Sequence, residues 1–455
     1  AAVFASGPDG TGDVQVTLDA TDLVGNVAAT VPVPVHVTRL KWMRSMAGKV
    51  DTFKGSPIAT TVPVPQVIFA GSERTDALGP IASFGPDGTV LWRTGHNDVA
   101  TVSTNLAYSS TTKRLYALGD GSTKMFAYAV GAGGVTSSYN CPLDDGSNVA
   151  NSVGSPVIVA SAPERILVAD AVGRLWSFAG TPGSGCAAVG NSFTNNAGAW
   201  LTVNQPSFDG SLVFVPHDGT QLSTVTFANA AFGAVTNAQG FAINIFGPVS
   251  VADAIYFGEI GTVHLYSYSR SLSSNWLAGR AAMAGQMNAP VVVGPAFAFG
   301  SPTATDGQLH AFLKADGTEA WHWAPLTTKI GNISAPTLGA DGVIYFSSDN
   351  PKQLIPLKVS GTPGTPSLAN GWAEFKGSSL QKTPSVSTPT DTTVDSLTTE
   401  PVIDSKGVIY FGTAAGKVFA LITDSGGPLL PVAGQTWPRV GFDNCNSSNT
   451  AFTCQ

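Results

Sequence analysis

The chain has 455 residues, a net charge of −7 and 12% charged residues, set against 51 glycines and 30 prolines. No run of Lys or Arg is dense enough to neutralise a series of phosphates, which argues against nucleic-acid binding. The apolar runs, such as Val408 to Phe411, are strand-sized, so none reads as a membrane span; sparse charge with abundant Gly and Pro suits short strands joined by tight turns.

In chain order, Val14-Gln15-Val16-Thr17-Leu18 and Val31-Pro32-Val33-Pro34-Val35-His36-Val37 bracket Ala20-Thr21-Asp22-Leu23-Val24-Gly25-Asn26. This arrangement resembles the closing hairpin of a bacterial immunoglobulin-like repeat, and the resemblance implies that residues 1–38 are the C-terminal part of such a domain. Two strands alone are marginal in water, so the expectation is a processed or truncated product of a larger parent with more of this domain upstream of Ala1.

From residue 40 onward the chain repeats. An x-Pro-Val/Ile-like start recurs at Pro57, Pro156, Pro206, Pro248, Pro290, Pro336 and Pro401, with Asn105-Leu106-Ala107 filling the gap, at intervals of roughly 42 to 65 residues. Most intervals match the length of a four-stranded propeller blade. After each start comes an apolar and aromatic run, for example Ile166-Leu167-Val168-Ala169, Ala254-Ile255-Tyr256-Phe257-Gly258 and Val408-Ile409-Tyr410-Phe411-Gly412. Such runs fit a strand buried on both faces between neighbouring blades. A third element reads Gly-x-Leu/Val-aromatic-small-apolar, as at Gly173 to Phe178, Gly307 to Phe312 and Gly416 to Leu421. The fourth is a turn and a strand carrying a tryptophan: Asp87-Gly88-Thr89-Val90-Leu91-Trp92 and Asp316-Gly317-Thr318-Glu319-Ala320-Trp321, with Trp276 and Trp372 in looser settings.

The Asp-Gly-Thr-x-x-Trp turn, entered from an Ala/Ser-Phe pair, resembles the repeat of pyrroloquinoline-quinone-type β-propellers over about residues 40 to 440. That family includes quinoprotein alcohol dehydrogenases and the non-catalytic propeller lipoprotein of the outer-membrane barrel-assembly machine, so the resemblance speaks to fold more than to function. The expected fold is all-β: an eight-bladed β-propeller of four-stranded blades over residues 39–440. Seven blades are the alternative, because Pro206 to Val235 is the weakest repeat.

Trp42 precedes Pro57 by the interval that separates Trp92, Trp276 and Trp321 from their next blades. Leu40-Lys41-Trp42-Met43 is therefore expected to complete the last blade and close the ring, leaving no terminal blade unfinished. Trp437 lies too far after Leu421 to match the interior blades, so Trp437 to Asp443 reads as an additional capping segment, with 441–455 as a C-terminal tail. Cys445 and Cys454 are close enough there for a small disulfide loop. Cys141 and Cys186 fall near the ends of successive repeats, either bridging neighbouring blades or standing as two buried thiols. An oxidising, extracytoplasmic location, secreted or at the cell surface with the periplasm as alternative, follows as the expectation.

Signs of catalysis are sparse. The quinoprotein resemblance would bring a quinone and a calcium ion held over the channel by a Trp, a pair of adjacent cysteines, and a Glu, an Asn and an Asp. This sequence has no adjacent Cys pair and no Cys-x-x-Cys-His haem attachment. Nor does it contain a Gly-x-Ser-x-Gly elbow, a His-Glu-x-x-His motif or a phosphate loop. His264 and His310 occupy equivalent third-strand slots filled elsewhere by Trp176 and Phe419, which reads as packing more readily than as a metal pair. Asp120, Asp170, Asp218 and Asp349 recur at second-strand ends, where turn capping is the simpler reading and a shared calcium the rarer one; the Asp22 to Asn26 turn is a further weak calcium candidate. Non-repeating insertions at Pro142 to Gly146 with Asn148 and Asn151, Asn191 to Trp200, and Thr388 to Glu400 are the candidate binding loops. The function expected is a non-catalytic module that binds a protein or glycan partner and needs no cofactor. The alternatives are a structural or assembly subunit of an envelope complex or filament, and a quinone-dependent dehydrogenase. The sequence leaves the oligomeric state open.

Overall fold

The computed structural model describes the backbone of 12–18 and 31–37, and residues 40–454 apart from short segments and the longer stretches 145–150, 181–202, 324–332 and 369–398. Among the described residues there is no helix, and none is therefore long and apolar enough to cross a membrane.

Eight antiparallel sheets form an eight-bladed β-propeller; in seven of them successive strands pair as a meander, and the eighth takes its outer strand from the start of the chain. Seven blades show four strands, and the third shows three among its described residues. Blade four, the weakest repeat in sequence, is a full four-stranded sheet, which removes the seven-bladed alternative. The innermost strands are Val50–Thr60, Ala107–Ser109, Ser152–Val159, Ser207–Phe208, Ile245–Val251, Val292–Val293, Thr337–Leu338 and Val402–Ile403. The second strands Arg165–Asp170, Ile255–Glu259 and Val408–Gly412 are buried along their whole length, and Arg114–Leu118, Leu212–His217 and Phe297–Gly300 along all but their first residue. A strand covered on both faces has no solvent face to make polar, hence the unbroken aromatic and β-branched runs.

The ring closes as the tryptophan spacing predicts. Strand Leu40–Ser45 pairs antiparallel with Lys417–Ile422, with Leu40 opposite Leu421, Trp42 opposite Ala420 and Met43 opposite Phe419; Lys41 falls at the register irregularity. The first strand to enter the ring is thus the outer strand of the last blade, and the join is made by interstrand hydrogen bonds.

The Asp-Gly-Thr turn is a docking surface for the tryptophan of the preceding blade. Trp42 Nε1 donates to Pro86 O at 3.0 Å, and Trp276 Nε1 to Lys314 O at 3.0 Å. Gly88 and Gly317 have φ of +81° and +77°, and a Cβ there would lie 2.7 Å and 2.5 Å from those two indole rings. Glycine is required twice over, by the left-handed backbone and by the ring laid across it. Hydroxyls on the inner strands add links between blades: Ser207 Oγ donates to Val249 O and Thr337 Oγ1 to Pro401 O, each at 2.6 Å.

Ahead of the propeller, Gly12–Leu18 and Val31–Val37 form an antiparallel pair, Gly12 opposite Val37 through Leu18 opposite Val31. The intervening Asp22 to Asn26 turn lies outside the described residues.

Candidate functional site

The x-Pro starts place one residue per blade around the central channel: Ser56, Asn105, Ser155, Gln205, Gly247, Ala289, Ala335 and Glu400. Six of these line a cavity of about 550 Å³ that draws residues from nearly every blade and includes Val440. The ring is chemically lopsided, polar in blades one to four and eight and apolar in blades five to seven. On the polar side neighbouring blades interlock, since Asn105 Oδ1 accepts from the Ser56 amide at 2.7 Å and Ser155 Oγ accepts from the Asn105 amide at 2.8 Å. The inner strand of blade one shifts register between Lys54 and Ile58, and this irregularity frees the Ser56 amide from its own ladder.

The chain's own C-terminal segment occupies the channel beside this cavity. It passes the blades in ring order, meeting in most of them the residue two places after the motif proline. Trp437 exchanges backbone hydrogen bonds with Val293 of blade six, and Pro438 O accepts from Leu338 of blade seven. The Asn444 side-chain amide then donates to Ile403 O of blade eight at 2.7 Å, while Asn444 O accepts from Ala59 of blade one. Cys445 O, Ser447 O and Ser448 O accept from Tyr108, Ile158 and Phe208 of blades two, three and four. An inner strand has one edge paired to its blade and one edge facing the axis; the tail supplies partners to that second edge, which would otherwise need water. To keep turning, its backbone takes positive φ at Gly441, Phe442, Asn446 and Ser448.

Arg439 anchors the tail. Fully buried, it donates through Nη1 to Asp443 O and through Nη2 to Pro57 O, both at 2.8 Å, and to Ser56 Oγ. Burial pulls its pKa down to about 10, against the fields of Glu400 and Asp443. The Asp443 carboxylate accepts from the Cys445 and Ser447 amides and from Ser447 Oγ, each at 3.0 Å, yet burial still pushes it up to about 6. Burial also raises Glu400, and its Oε2 has no hydrogen-bond partner among the described residues.

Cys445 and Cys454 are disulfide-bonded across 9 residues. The bond is the small loop expected to hold the chain end, and its Cys445 half is fully buried in the channel while Cys454 is half-buried. The composition of the tail concealed this burial: Asn and Ser are typical of exposed ends, but here their amides and hydroxyls serve the inner strands. Cys141, in the outer strand of blade two, is also disulfide-bonded and fully buried, while Cys186 lies outside the described residues.

Of the recurring aspartates, Asp170 caps its own turn, whereas Asp120 reaches an amide 17 residues away and Asp218 meets the neighbouring His217 ring. Asp120 Oδ1 accepts from the Ser103 amide at 2.9 Å, Asp170 accepts from the Val172 and Arg174 amides at 3.0 Å, and Asp218 Oδ2 lies 3.0 Å from His217 Nδ1. The side chain of Asp349 lies outside the described residues. Nor do the equivalent histidines pair: His264 meets Glu259 at 3.1 Å in blade five, and His310 is held between Asp306 and Glu319 in blade six. Asn191 to Trp200 and 388–398 lie outside the described residues, as do Gly146 and Asn148.

The channel donors fit a quinone–calcium pair poorly. Calcium takes six to eight oxygens, whereas among the described residues the one carboxylate lining the cavity, Glu400, sits in the field of Arg439, the Asn105 oxygen is engaged by Ser56, and Asp443 is turned onto the tail.

The chain is similar in fold to BamB. The BamB structure from Moraxella catarrhalis superposes with a TM-score of 0.54 at 13% sequence identity, covering 84% of this chain and 97% of that one. A computationally designed protein, Ika8, gives a TM-score of 0.54 at 10% identity, covering 83% of this chain and 98% of its own. The sequence matches no protein-family model, and no curated protein matches it. The likeness to BamB and Ika8 is one of architecture.

Proposed function

We propose that this chain is a non-catalytic, extracytoplasmic β-propeller that binds a protein partner through the loops of its blades and presents it to a larger secreted or surface-exposed assembly. One observation carries the reading. The inner-strand edges and the buried charge at the axis are taken up by residues 437–450 of the same chain, so the polar groups of the channel hold the ring together and are not gathered around a reactant. The fold likeness to BamB and the buried disulfide at Cys445 are consistent with a scaffold that works in an oxidising compartment.

Two measurements test it together. Intact mass and absorbance of the protein purified from its native source should give the polypeptide with its disulfides and no chromophore; a bound quinone overturns the non-catalytic reading. Cross-linking in the native host should recover one recurring protein partner, with cross-links confined to the loops of one face. Cross-links scattered over both faces with no recurring partner overturn the binding reading.

A further inference from the structure

The third and outer strands of blade six, Leu309–Leu313 and Glu319–Trp323, carry a cluster that the channel does not use. His310 stands directly opposite His322, so both side chains share one face of the sheet. Glu319 and His322 are three apart and would ordinarily point to opposite faces. A register irregularity at Ala311/Phe312 sets Glu319 opposite Phe312, which is two residues from His310, and so turns Glu319 onto the histidine face. Glu319 Oε1 consequently lies 2.7 Å from His310 Nδ1 and 3.1 Å from His322 Nδ1.

The far side of His310 is fixed as well. Its Nε2 lies 2.6 Å from Oδ2 of Asp306, a residue with no solvent exposure, and its ring is stacked at 7° to Phe312. Against its burial, the two flanking carboxylates raise the His310 pKa, so without a metal the charged ring donates to both; once the Nδ1 proton leaves, with Nε2–H held by Asp306, Nδ1 presents a lone pair toward Glu319. Two acceptors at that distance need a proton or a metal ion between them.

We propose that His310 Nδ1, His322 Nδ1 and a carboxylate oxygen of Glu319 bind a divalent first-row transition ion, with Zn²⁺ the best match, and that Asp306 is the positioning residue for His310. One donor atom from each of the three residues lies within 4.8 Å of the others, and both Nδ1 atoms lie within 3.1 Å of Glu319 Oε1. Bonds of about 2.0–2.2 Å to nitrogen and oxygen at tetrahedral angles set donors about 3.3 Å apart. Small rotations of the two exposed ligands, His322 at 55% and Glu319 at 37% exposure, open the set to that spacing. Two imidazoles favour zinc, nickel or copper over calcium and magnesium, which prefer oxygen. Exposure of the same two residues leaves the fourth position to water, and a carboxylate behind a ligating histidine is the usual way such a ring is oriented. The site is independent of whether the propeller binds a protein.

The test uses the full chain freed of metal by chelation. Titration with Zn²⁺ by calorimetry should show one site with micromolar or tighter affinity, and Co²⁺ should give the visible absorption of a four-coordinate ion. His322→Ala and Glu319→Gln change exposed groups; each should weaken Zn²⁺ binding at least ~30-fold while the circular dichroism of the metal-free protein stays unchanged, and with His322→Ala its melting temperature as well. Asp306→Asn should weaken binding about 10- to 100-fold, with the Co²⁺ bands shifted. Absence of stoichiometric binding at 100 µM Zn²⁺, or binding unaltered in His322→Ala, overturns the proposal.

Discussion

The indole of Trp276 lies flat across the turn at Gly317, so near that a Cβ on that glycine would sit 2.5 Å from the ring. One residue belongs to blade five and the other to blade six, so the contact fastens neighbouring blades at their outer edges. Gly317→Ala should therefore cost more than backbone strain alone. At Gly121, with φ +66° and no described residue within 4 Å of a Cβ, alanine should cost about 1–2 kcal/mol for the left-handed backbone. At Gly317 the same strain is joined by about 1–3 kcal/mol of overpacking. Urea unfolding of the two variants side by side decides the point: equal losses would mean that the tryptophan contact carries no stability.

The tail makes a second prediction. Closing the 9-residue separation between Cys445 and Cys454 should stabilise the fold by about 2–3 kcal/mol through loop entropy. In a Cys454→Ser variant, amide exchange should quicken at the inner-strand donors Ala59, Tyr108 and Ile158, whose hydrogen bonds end on Asn444, Cys445 and Ser447. Exchange that quickened only at the chain end would show the tail to be held without the bond.

A third prediction concerns pH. Burial holds the Asp443 carboxyl at about 6 against an ordinary 3.8, so folding favours its neutral form. The stability this group contributes is fully present below the ordinary value and is lost as pH rises through 6, a swing of about 3 kcal/mol. Asn at this position keeps an oxygen for the Cys445 and Ser447 amides. Asp443→Asn should accordingly gain on the wild type by about that amount between pH 4 and pH 7.5, measured by chemical denaturation. Parallel curves would mean that the donors around Asp443 outweigh its burial.

Much of the architecture was legible because a propeller writes its geometry into the sequence eight times over. The proline starts, the aromatic second strands and the tryptophan spacing each follow from a contact that every blade repeats, and the spacing of Trp42 was enough to predict a clasp onto the last blade, which the structure makes opposite Ala420 and Phe419. Features that occur once were not legible. The Asn- and Ser-rich tail has the composition of a solvated end, and nothing local marks Asn444 or Asn449 as partners of Ile403 and Ile158, 41 and 291 residues away. The His310 cluster was half seen: its slot in the third strand was recognisable, but the irregularity that turns Glu319 onto the same face leaves no periodic trace.

The tail also bears on how the number of blades is held constant. From Trp437 to Ser448 it visits blades six, seven, eight, one, two, three and four in turn, spending only a residue or two on each of the blades from one to four. Its donors and acceptors are thus spaced for one circumference. A ring with a blade lost or duplicated would offer the right edges at the wrong angles, and Arg439 could not reach Ser56 and Pro57 while Ser448 met Phe208. A segment that carries no repeat of its own thereby acts as the gauge for all of them.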